Sequence, residues 1–409
     1  MKTTHQFPLG LTLAASLAAL SGCAGHGAFT SKAIEEGAMK MSAVKSGVEW
    51  QQAHEQFLAG ELMKASRSIE NAIALNPTVA KSHVLRGRIM IERGELESAR
   101  ASLLRAEELD AENVESQYYL GIVHERFSQT EEAAKRYRNA AKLDPSSAQY
   151  VVAAAEMLVQ LNRLDEAEAL LNTPHESLTH NAAIRQTAGH VALLRHKPAE
   201  AVELLKQARL LAPDDASVLE DLVRAQMAAK GYADAEFNIS VLLRDKKNQE
   251  RRDLLHWQAE CFAALNRLTD ARGVLERLVR DDAGRSDVTA WIALGNVAAA
   301  LRDQARLREA ALRITSLAPE RPDGYVMRAI YLRQTGELAS ALKAIDTALS
   351  LDEEAPTARL LRGLILQELG RTDEASDEIS SLVDQHPHLA AARQLLDLIH
   401  VETRIVLAE

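Results

Sequence analysis

The sequence predicts an all-α fold: an α-solenoid of about ten helix-turn-helix repeats, closed at its C-terminal end by a capping helix. The first observation behind this prediction is composition. Aromatic residues make up only 4% of the 409 residues, and Gly (19) and Pro (10) are few, which is typical of helices. The second is that no Val/Ile-rich runs bounded by Gly, typical of strands, occur in the sequence. The third is a 34-residue spacing of Pro and Ala.

Net charge restricts the class of partner. The chain has 48 Lys and Arg against 58 Asp and Glu, a formal net charge of −10. Nucleic acid is therefore not expected as a partner, because phosphate binding needs clustered positive charge. The densest basic stretch, 244–252, is interrupted by Asp245 and Glu250, and we interpret it as a solvated loop.

The first residues have the layout of a signal peptide. Lys2 precedes an uncharged run at 7–20, rich in Leu and Ala and too short to span a bilayer comfortably. The run ends in Leu20-Ser21-Gly22-Cys23, which resembles the lipobox of bacterial lipoproteins. The resemblance implies a signal peptide at 1–22, cleavage before Cys23, a diacylglyceryl thioether on its sulfur and acylation (palmitate, for example) of the new amino terminus. The alternative is an ordinary secretory leader followed by a chance cysteine.

Residues 23–45 are predicted to be the lipidated cysteine and a tether with one short helix, because Gly25, Gly27 and Gly37 alternate with scattered charge. No later stretch reaches eighteen apolar residues, so the lipid is expected to be the membrane attachment. In diderm bacteria, lipoproteins without Asp after the cysteine generally reach the outer membrane. Ala24 therefore favours the periplasmic face of the outer membrane as the location.

The repeat is defined by proline and alanine. Pro77, Pro145 and Pro213 are 68 residues apart, and Pro322 and Pro356 are 34 apart. A run of alanines has the same 34-residue step: Ala65, Ala99, Ala133, Ala167, Ala201 and Ala235. With two extra residues near 248–251 and two near 284–287, ten units cover 46–389. They begin at positions 46, 80, 114, 148, 182, 216, 252, 288, 322 and 356.

Each unit has the pattern of a helical hairpin. A small residue recurs in the first helix, and we expect Gly87 to meet Ala99 of the second helix, because close helix contact needs small side chains. Proline ends the unit because it lacks an amide proton. Together with the segment from Trp291 to Gly295, this pattern resembles the tetratricopeptide repeat, W-x₂-L-G-x₂-Y…A-x₃-F…P. The resemblance implies a right-handed superhelix. Pro174, inside the second helix of unit four, departs from it.

The residues after the last unit form one more amphipathic helix. In 390–406, the apolar side carries Leu395, Leu396, Ile399 and Ile405. Since a terminal repeat must cover the last exposed core face, we assign 390–409 as a capping helix and tail.

The sequence lacks the motifs that would indicate an enzyme. It contains no nucleotide-binding, nucleophile-elbow, H-E-x-x-H or C-x-x-C motif. His175 and His180 lie five residues apart and are not predicted to bind metal. Cys261 is predicted to be a small buried hydrophobe. We therefore expect no enzymatic activity, no cofactor, no metal and no small-molecule substrate.

The partner is expected on one stripe of the first helices. Unit positions 2, 5, 9 and 12 share a stripe that, in a tetratricopeptide superhelix, lines the concave groove. Solenoids are held by neighbour contacts, so we expect this stripe not to be needed for stability. Because the stripe mixes apolar and charged side chains, it suits an extended segment or helix of another protein. Val84, Ile292 and Asn296 lie on it, and the candidate partner-binding residues are Arg88, Tyr118, Ile122, Glu125, Glu156, His190, Arg224, His256 and Glu260.

The sequence thus predicts a membrane-anchored scaffold that mediates protein-protein interactions while an envelope machine is assembled, for secretion, pilus formation or exopolysaccharide export. A second hypothesis is an adaptor for peptidoglycan-remodelling enzymes. A hypothesis of a different class is an enzyme whose site has no recognised motif.

Overall fold

A computed structural model describes the backbone of residues 28–406 and the side chains of 32–399. The predicted leader and Cys23 lie outside the described residues. Within the described range the regular structure is helical, with 23 α-helices, one short 3₁₀ helix and no strand. None of these helices is both long enough and apolar enough to span a bilayer. The chain divides into two compact units, one up to residue 191 and one from residue 192.

The first unit consists of successive helical hairpins, in which each first helix packs against the second helix that follows it. The helices are α1 (Ala28–Leu58), α2 (Leu62–Leu75), α3 (Ala80–Glu92), α4 (Leu96–Leu109), α5 (Val114–Arg126), α6 (Thr130–Leu143), α7 (Ala148–Gln160), α8 (Leu164–Leu171), α9 (Glu176–Thr179) and α10 (Ala182–Leu194), which ends just past the unit.

The second unit continues the same hairpins and includes the 3₁₀ helix Lys246–Asn248. Its α-helices are α11 (Pro198–Leu211), α12 (Ala216–Ala228), α13 (Tyr232–Leu242), α14 (Arg252–Ala264), α15 (Leu268–Leu278), α16 (Asp282–Arg285), α17 (Val288–Leu301), α18 (Gln304–Leu317), α19 (Asp323–Gln334), α20 (Leu338–Leu351), α21 (Pro356–Glu368), α22 (Thr372–Gln385) and α23 (Ala390–Val406).

The first helices begin where the 34-residue spacing places them. Eight of the ten predicted unit starts, from 80 to 356, are the first residue of a helix. The ninth, Pro322, directly precedes α19, and the tenth, Ser46, lies inside α1. The two predicted loop insertions contain the 3₁₀ helix and α16. Pro174 lies between α8 and α9, where the second helix of unit four is interrupted.

The segment predicted as a tether is helical from Ala28 onward, because α1 is one helix of 31 residues. The hydroxyls of Ser42 and Ser46 donate to the carbonyls of Leu75 and Ala72, at 2.7 and 2.8 Å, and fix the middle of α1 to α2. The prediction of a tether with one short helix therefore underestimates the helix, which covers all of 28–45. The Ala, Met, Lys and Glu residues of this stretch favour helix more than its single glycine, Gly37, opposes it.

Three glycines of first helices lie against a large side chain of the second helix in the same hairpin. A methyl group on Gly87 would lie 2.6 Å from Cγ of Leu103, which is fully buried. Leu103 fills the space directly over Gly87, and Ala99, the residue expected to meet this glycine, is also fully buried. The same sixteen-residue offset recurs in the pairs Gly121 with Tyr137 and Gly363 with Ile379.

In repeat eight, the space over the first-helix glycine is filled by a side chain from another repeat. Sixteen residues after Gly295 stands Ala311, whose side chain is too short to cover the glycine. The thioether of Met327, from the first helix of the next repeat, lies over Gly295 instead, beside Ala310. The core of repeat eight is therefore completed by a side chain from repeat nine.

Two further predictions concern individual residues. Cys261 is fully buried with its sulfur 3.1 Å from the Met227 sulfur, which confirms the prediction of a buried hydrophobe. Burial, together with the nearby carboxylates of Glu260 and Glu236, raises the pKa of its thiol to about 12. In α23, Leu395 and Ile399 are buried against the last repeat, as expected of a cap.

The basic stretch 244–252 is only partly a solvated loop. Arg251 forms an ion pair with Glu220 at 2.5 Å and another with Asp253 at 2.7 Å. Arg252 is likewise paired with Asp287. The last two residues of this stretch therefore connect neighbouring repeats and are not free for a polyanion.

Candidate protein-binding groove

The predicted stripe residues fall into both compact units. Arg88, Tyr118, Ile122, Glu125, Glu156 and His190 belong to the first unit, and Arg224, His256 and Glu260 to the second. Most of them are half-buried or exposed, as residues of a groove should be. Val84 is different, because it is 1% exposed and belongs to the core.

Tyr118 is the centre of a tyrosine cluster. Its ring centroid lies 5.2 Å from that of Tyr119, 5.5 Å from Tyr137 and 5.1 Å from Tyr150. The side-chain amide of Gln149 donates to its hydroxyl at 2.7 Å. Such aromatic pairs each contribute about 0.5–1.5 kcal/mol beyond area burial. We therefore expect Tyr118 to contribute to stability, although the stripe as a whole was predicted not to be needed for it.

Arg88 is held between two aromatic rings. Its guanidinium carbon lies 5.0 Å from the ring centroid of Phe57 and 5.0 Å from that of Tyr119. Cation–π contacts of this kind fix the side chain while leaving its charge in place. Arg88 therefore presents a positioned positive charge at the edge of the tyrosine cluster.

The next stripe residues along the first unit are acidic. The Tyr137 hydroxyl donates to Glu125 at 2.6 Å, and burial together with this bond raises the pKa of Tyr137 far above its usual range. Partial burial and the Glu125 charge raise the pKa of Glu156, whereas His190 lowers it. Half-buried Ile122 packs beside this set. The first unit therefore presents an aromatic surface bordered by carboxylates.

In the second unit, Asp287, the N-cap of α17, holds a residue of the stripe in place through its carboxylate. The carboxylate accepts from the Ala290 amide at 3.0 Å and from Arg252 at 2.6 Å, and His256 Nε2 lies 2.9 Å from it. Burial alone would raise the pKa of Asp287, but these hydrogen bonds outweigh burial and hold it below its usual range. The His256 ring is thereby fixed on the stripe. Arg224 is exposed and pairs with Asp221 at 2.8 Å.

Two adjacent cavities lie along the first helices of the second unit. The first, about 570 Å³, lies between α14 and α17 and is lined by His256, Trp257, Glu260 and Asn296, among others. The second, about 550 Å³, follows along α17, α19 and α21 and again includes Asn296. Because Asn296 lines both, the two cavities adjoin, and together we call them the α14–α21 groove. Its other side chains include Thr289, Ile292, Val326, Ile330 and Leu361.

Sequence reasoning found part of this groove and missed the rest. His256, Glu260, Ile292 and Asn296 were predicted from their positions in the first helices. Val326 and Ile330 occupy positions 5 and 9 of unit nine, so the same rule carried one unit further would have found them. Trp257 lies one position off the stripe and had no such signal. Among the described residues, no group of three or more His, Cys, Asp or Glu is arranged to hold a metal ion.

Comparison with known families identifies the repeats. Models of the tetratricopeptide repeat match residues 51–114, 127–186 and 326–395. These segments are tetratricopeptide repeats, and the described chain is an all-α tetratricopeptide-repeat solenoid. Proteins of this kind are generally scaffolds that bind other proteins or peptides, and neither matching model is that of a catalytic family. The repeats of this chain are accordingly of a kind that binds other proteins or peptides.

Curated relatives share short, divergent stretches. Anaphase-promoting complex subunit 3 of Schizosaccharomyces pombe is 23% identical over 185 residues, which are 45% of this chain and 28% of that protein. The BBSome complex member BBS4 of Bos taurus is 24% identical over 172 residues, 42% of this chain and 33% of that protein. The matches span about a third or less of these relatives.

Several solved structures are similar to this chain over about half of its length. PilW, described as a widely conserved type IV pilus biogenesis factor, is 17% identical with a TM-score of 0.44, over 50% of this chain and 95% of its own. PilF of Pseudomonas aeruginosa is 19% identical with a TM-score of 0.41, over 49% of this chain and 90% of its own. YrrB, described as a protein with an unusual peptide-binding site, is 23% identical with a TM-score of 0.37, over 46% of this chain and 95% of its own.

Proposed function

We propose that the α14–α21 groove holds an amphipathic segment of a partner protein. The observation that carries the proposal is the pair of adjoining cavities, about 570 and 550 Å³, which share Asn296. Val326, Ile330 and Leu361 supply apolar contact area along the groove, while His256 and Glu260 supply polar groups at one end. A mostly apolar channel with a few placed polar groups suits a peptide segment better than a small polar metabolite.

A photo-crosslinking experiment tests this proposal. Benzoylphenylalanine at Glu260 and at Asn296, both exposed, should crosslink to one and the same partner in cells. The matched control position is Leu312, which is 60% exposed in α18 and lines neither groove cavity. Asn296→Arg, which places a long side chain in both cavities, should reduce the crosslink formed at Glu260, whereas Leu312→Arg should not. Crosslinks formed at Leu312 and at neither groove position would contradict the proposal.

We also propose that the scaffold is anchored to a membrane by lipid on Cys23, at the periplasmic face of the outer membrane. The support is the sequence Leu20-Ser21-Gly22-Cys23 and the Ala24 that follows it. Two or three acyl chains would anchor the protein stably, since each buried CH₂ contributes about 0.8 kcal/mol. Cys23→Ser should remove the acyl mass and move the protein to the soluble fraction. An unchanged mass and membrane partition in this variant would overturn the anchor proposal.

The cellular task that we propose is assembly of an envelope machine for secretion, pilus formation or exopolysaccharide export. A lipid-anchored chain with a partner-binding groove would hold such components at the membrane while they assemble. The identity of the protein crosslinked at Asn296 tests this step. A structural component of an export or pilus apparatus supports it, and a peptidoglycan hydrolase or synthase would replace it with the adaptor hypothesis.

A further inference from the structure

A third cavity lies away from the groove, between the second helices of repeats seven and eight. Its volume is about 350 Å³, and residues of α15, α17 and α18 line it. It shares no lining residue with the two groove cavities. We call it the α15–α18 pocket.

The charges that line the α15–α18 pocket are unbalanced. Four arginines line it and only two carboxylates, Glu276 and Glu309. Arg306 donates to both of these, at 3.0 and 2.8 Å, so one arginine occupies both acidic partners. The remaining pocket arginines are Arg280, Arg285 and Arg313. A chain with a net charge of −10 therefore carries a locally positive concave surface.

Two of these guanidinium groups have no acidic partner. Within the described part of the chain, neither Arg280 nor Arg313 forms an ion pair. Arg313 instead lies 5.8 Å from the ring centroid of Trp291. Among the described residues, Arg285 is paired only with Asp282, a side chain that is 97% exposed, and such surface pairs contribute about 0–1 kcal/mol. Like charges gathered in one concavity repel each other, and a bound anion would relieve this repulsion.

The wall of the pocket is built by a loop insertion that breaks the 34-residue period. The insertion contains the short helix α16, and the carboxylate of Asp281 accepts from the Gly284 amide at 2.6 Å. A side chain at Gly284 would overlap the Leu278 carbonyl, so the close turn requires glycine. The indole of Trp291 donates to the Arg285 carbonyl at 3.2 Å. These contacts hold Arg285 at the rim while the ring forms part of the floor.

We propose that the α15–α18 pocket binds an acidic segment of a protein partner, with its carboxylates on Arg280 and Arg313. Planar guanidinium groups bind carboxylates through paired hydrogen bonds, which gives these contacts both strength and orientation. Trp291, Leu294 and Val279 provide apolar surface beside the charges, which suits a segment where Asp or Glu adjoins a large apolar residue. This surface is separate from the α14–α21 groove, so the scaffold would engage two segments at once.

The test is a fluorescence-anisotropy titration of the protein with a labelled peptide of alternating Glu and Leu. Binding should weaken on the order of tenfold or more in Arg280→Ala/Arg313→Ala, because both charge-assisted contacts are lost. Arg308→Ala is the matched control, since it removes an exposed arginine of α18 that does not line the pocket, and it should bind like the parent. A peptide of alternating Lys and Leu should not bind, and added salt should weaken the acidic peptide.

Three results would overturn the proposal. The first is equal binding by the double variant and the parent, provided that both have the same circular dichroism spectrum. The second is equal binding of the Lys and Glu peptides, which would show an apolar contact without charge recognition. The third is displacement of the peptide by inorganic phosphate at concentrations comparable to the peptide's own Kd, which would identify a phosphate site. Asn296→Arg should leave the peptide affinity unchanged, so that failure here is separable from failure of the groove proposal.

Discussion

The contact between Gly87 and Leu103 makes a quantitative prediction about how the hairpins pack. Leu103→Ala should lower the free energy of unfolding by about 2–5 kcal/mol, because it removes a fully buried side chain. Gly87→Ala should gain up to about 1 kcal/mol in helix propensity. It should also lose about 1–3 kcal/mol from overpacking, since the new methyl lies 2.6 Å from Leu103 Cγ. The single glycine change is therefore neutral or destabilising by about 2 kcal/mol.

The double variant tests whether the effects of the two substitutions depend on each other. In Gly87→Ala/Leu103→Ala the new methyl enters the space that Leu103 vacates, so the double variant should be more stable than the sum of the single effects by about 1–2 kcal/mol. The matched control is Gly47→Ala in α1, where nothing lies within 4 Å of the added methyl. Combined with Leu103→Ala, this control should be additive within about 0.5 kcal/mol.

Urea denaturation followed by circular dichroism at 222 nm measures these free energies. Amide hydrogen exchange in α3 and α4 should accompany it, because a repeat array can unfold in parts. If the Gly87 and Leu103 changes are additive, Leu103 does not fill the space over the glycine. The packing of all three pairs with this offset would then have to be reconsidered.

Three further predictions concern single positions. Tyr118→Ala should lower the melting temperature and the free energy of unfolding by about 2 kcal/mol or more, because three ring contacts are lost. Tyr118→Phe, which loses only the hydrogen bond from Gln149, should lose about 1 kcal/mol or less, and equal stability of the Ala variant and the parent would contradict the cluster. Gly284→Ala should destabilise the second unit and increase hydrogen exchange in α16, since the methyl overlaps a main-chain carbonyl, whereas Gly273→Ala, with open space around it, should not. Asp287→Asn should cost about 1–3 kcal/mol at neutral pH by weakening charge-assisted bonds. Because the folded pKa of Asp287 is lowered, its contribution to stability is present above the unfolded pKa of about 3.9 and is lost as pH falls through the folded pKa. Acid titrations of stability for the parent and the Asn variant should therefore converge below pH 4, and parallel curves would show that the carboxylate charge is not what stabilises α17.

The sequence predicted the positions of the helices because proline and small residues recur at fixed intervals. Helix α5 begins at Val114 and α7 at Ala148, both at predicted unit starts. It could not predict which side chain faces each glycine, because periodicity defines a face of one helix and not the register of the next. That is why Leu103 was not anticipated over Gly87.

For the candidate site too, the sequence predicted some residues and missed others. The stripe rule found Asn296 because position 9 lies on the same face of a first helix in every unit, whatever its neighbours are. The rule did not anticipate that Tyr118 makes structural contacts. Tyr150, which packs on it, stands 32 residues later in the next repeat. The arginines of the α15–α18 pocket are likewise brought together by helices that are separated along the chain, as Arg280 and Arg313 are. No spacing rule within one helix reports such pairs.

The Met327 side chain that covers Gly295 has a consequence for how the array can be divided. At Gly87, Gly121 and Gly363, the side chain that covers the glycine belongs to the same hairpin. Each of these hairpins therefore completes its own core. A chain truncated after residue 321 would lose the Met327 side chain that covers Gly295, and this would expose a gap beside Ala310. Repeats eight and nine should therefore melt as one cooperative block, and any experiment that shortens this protein should keep them on the same side of the cut.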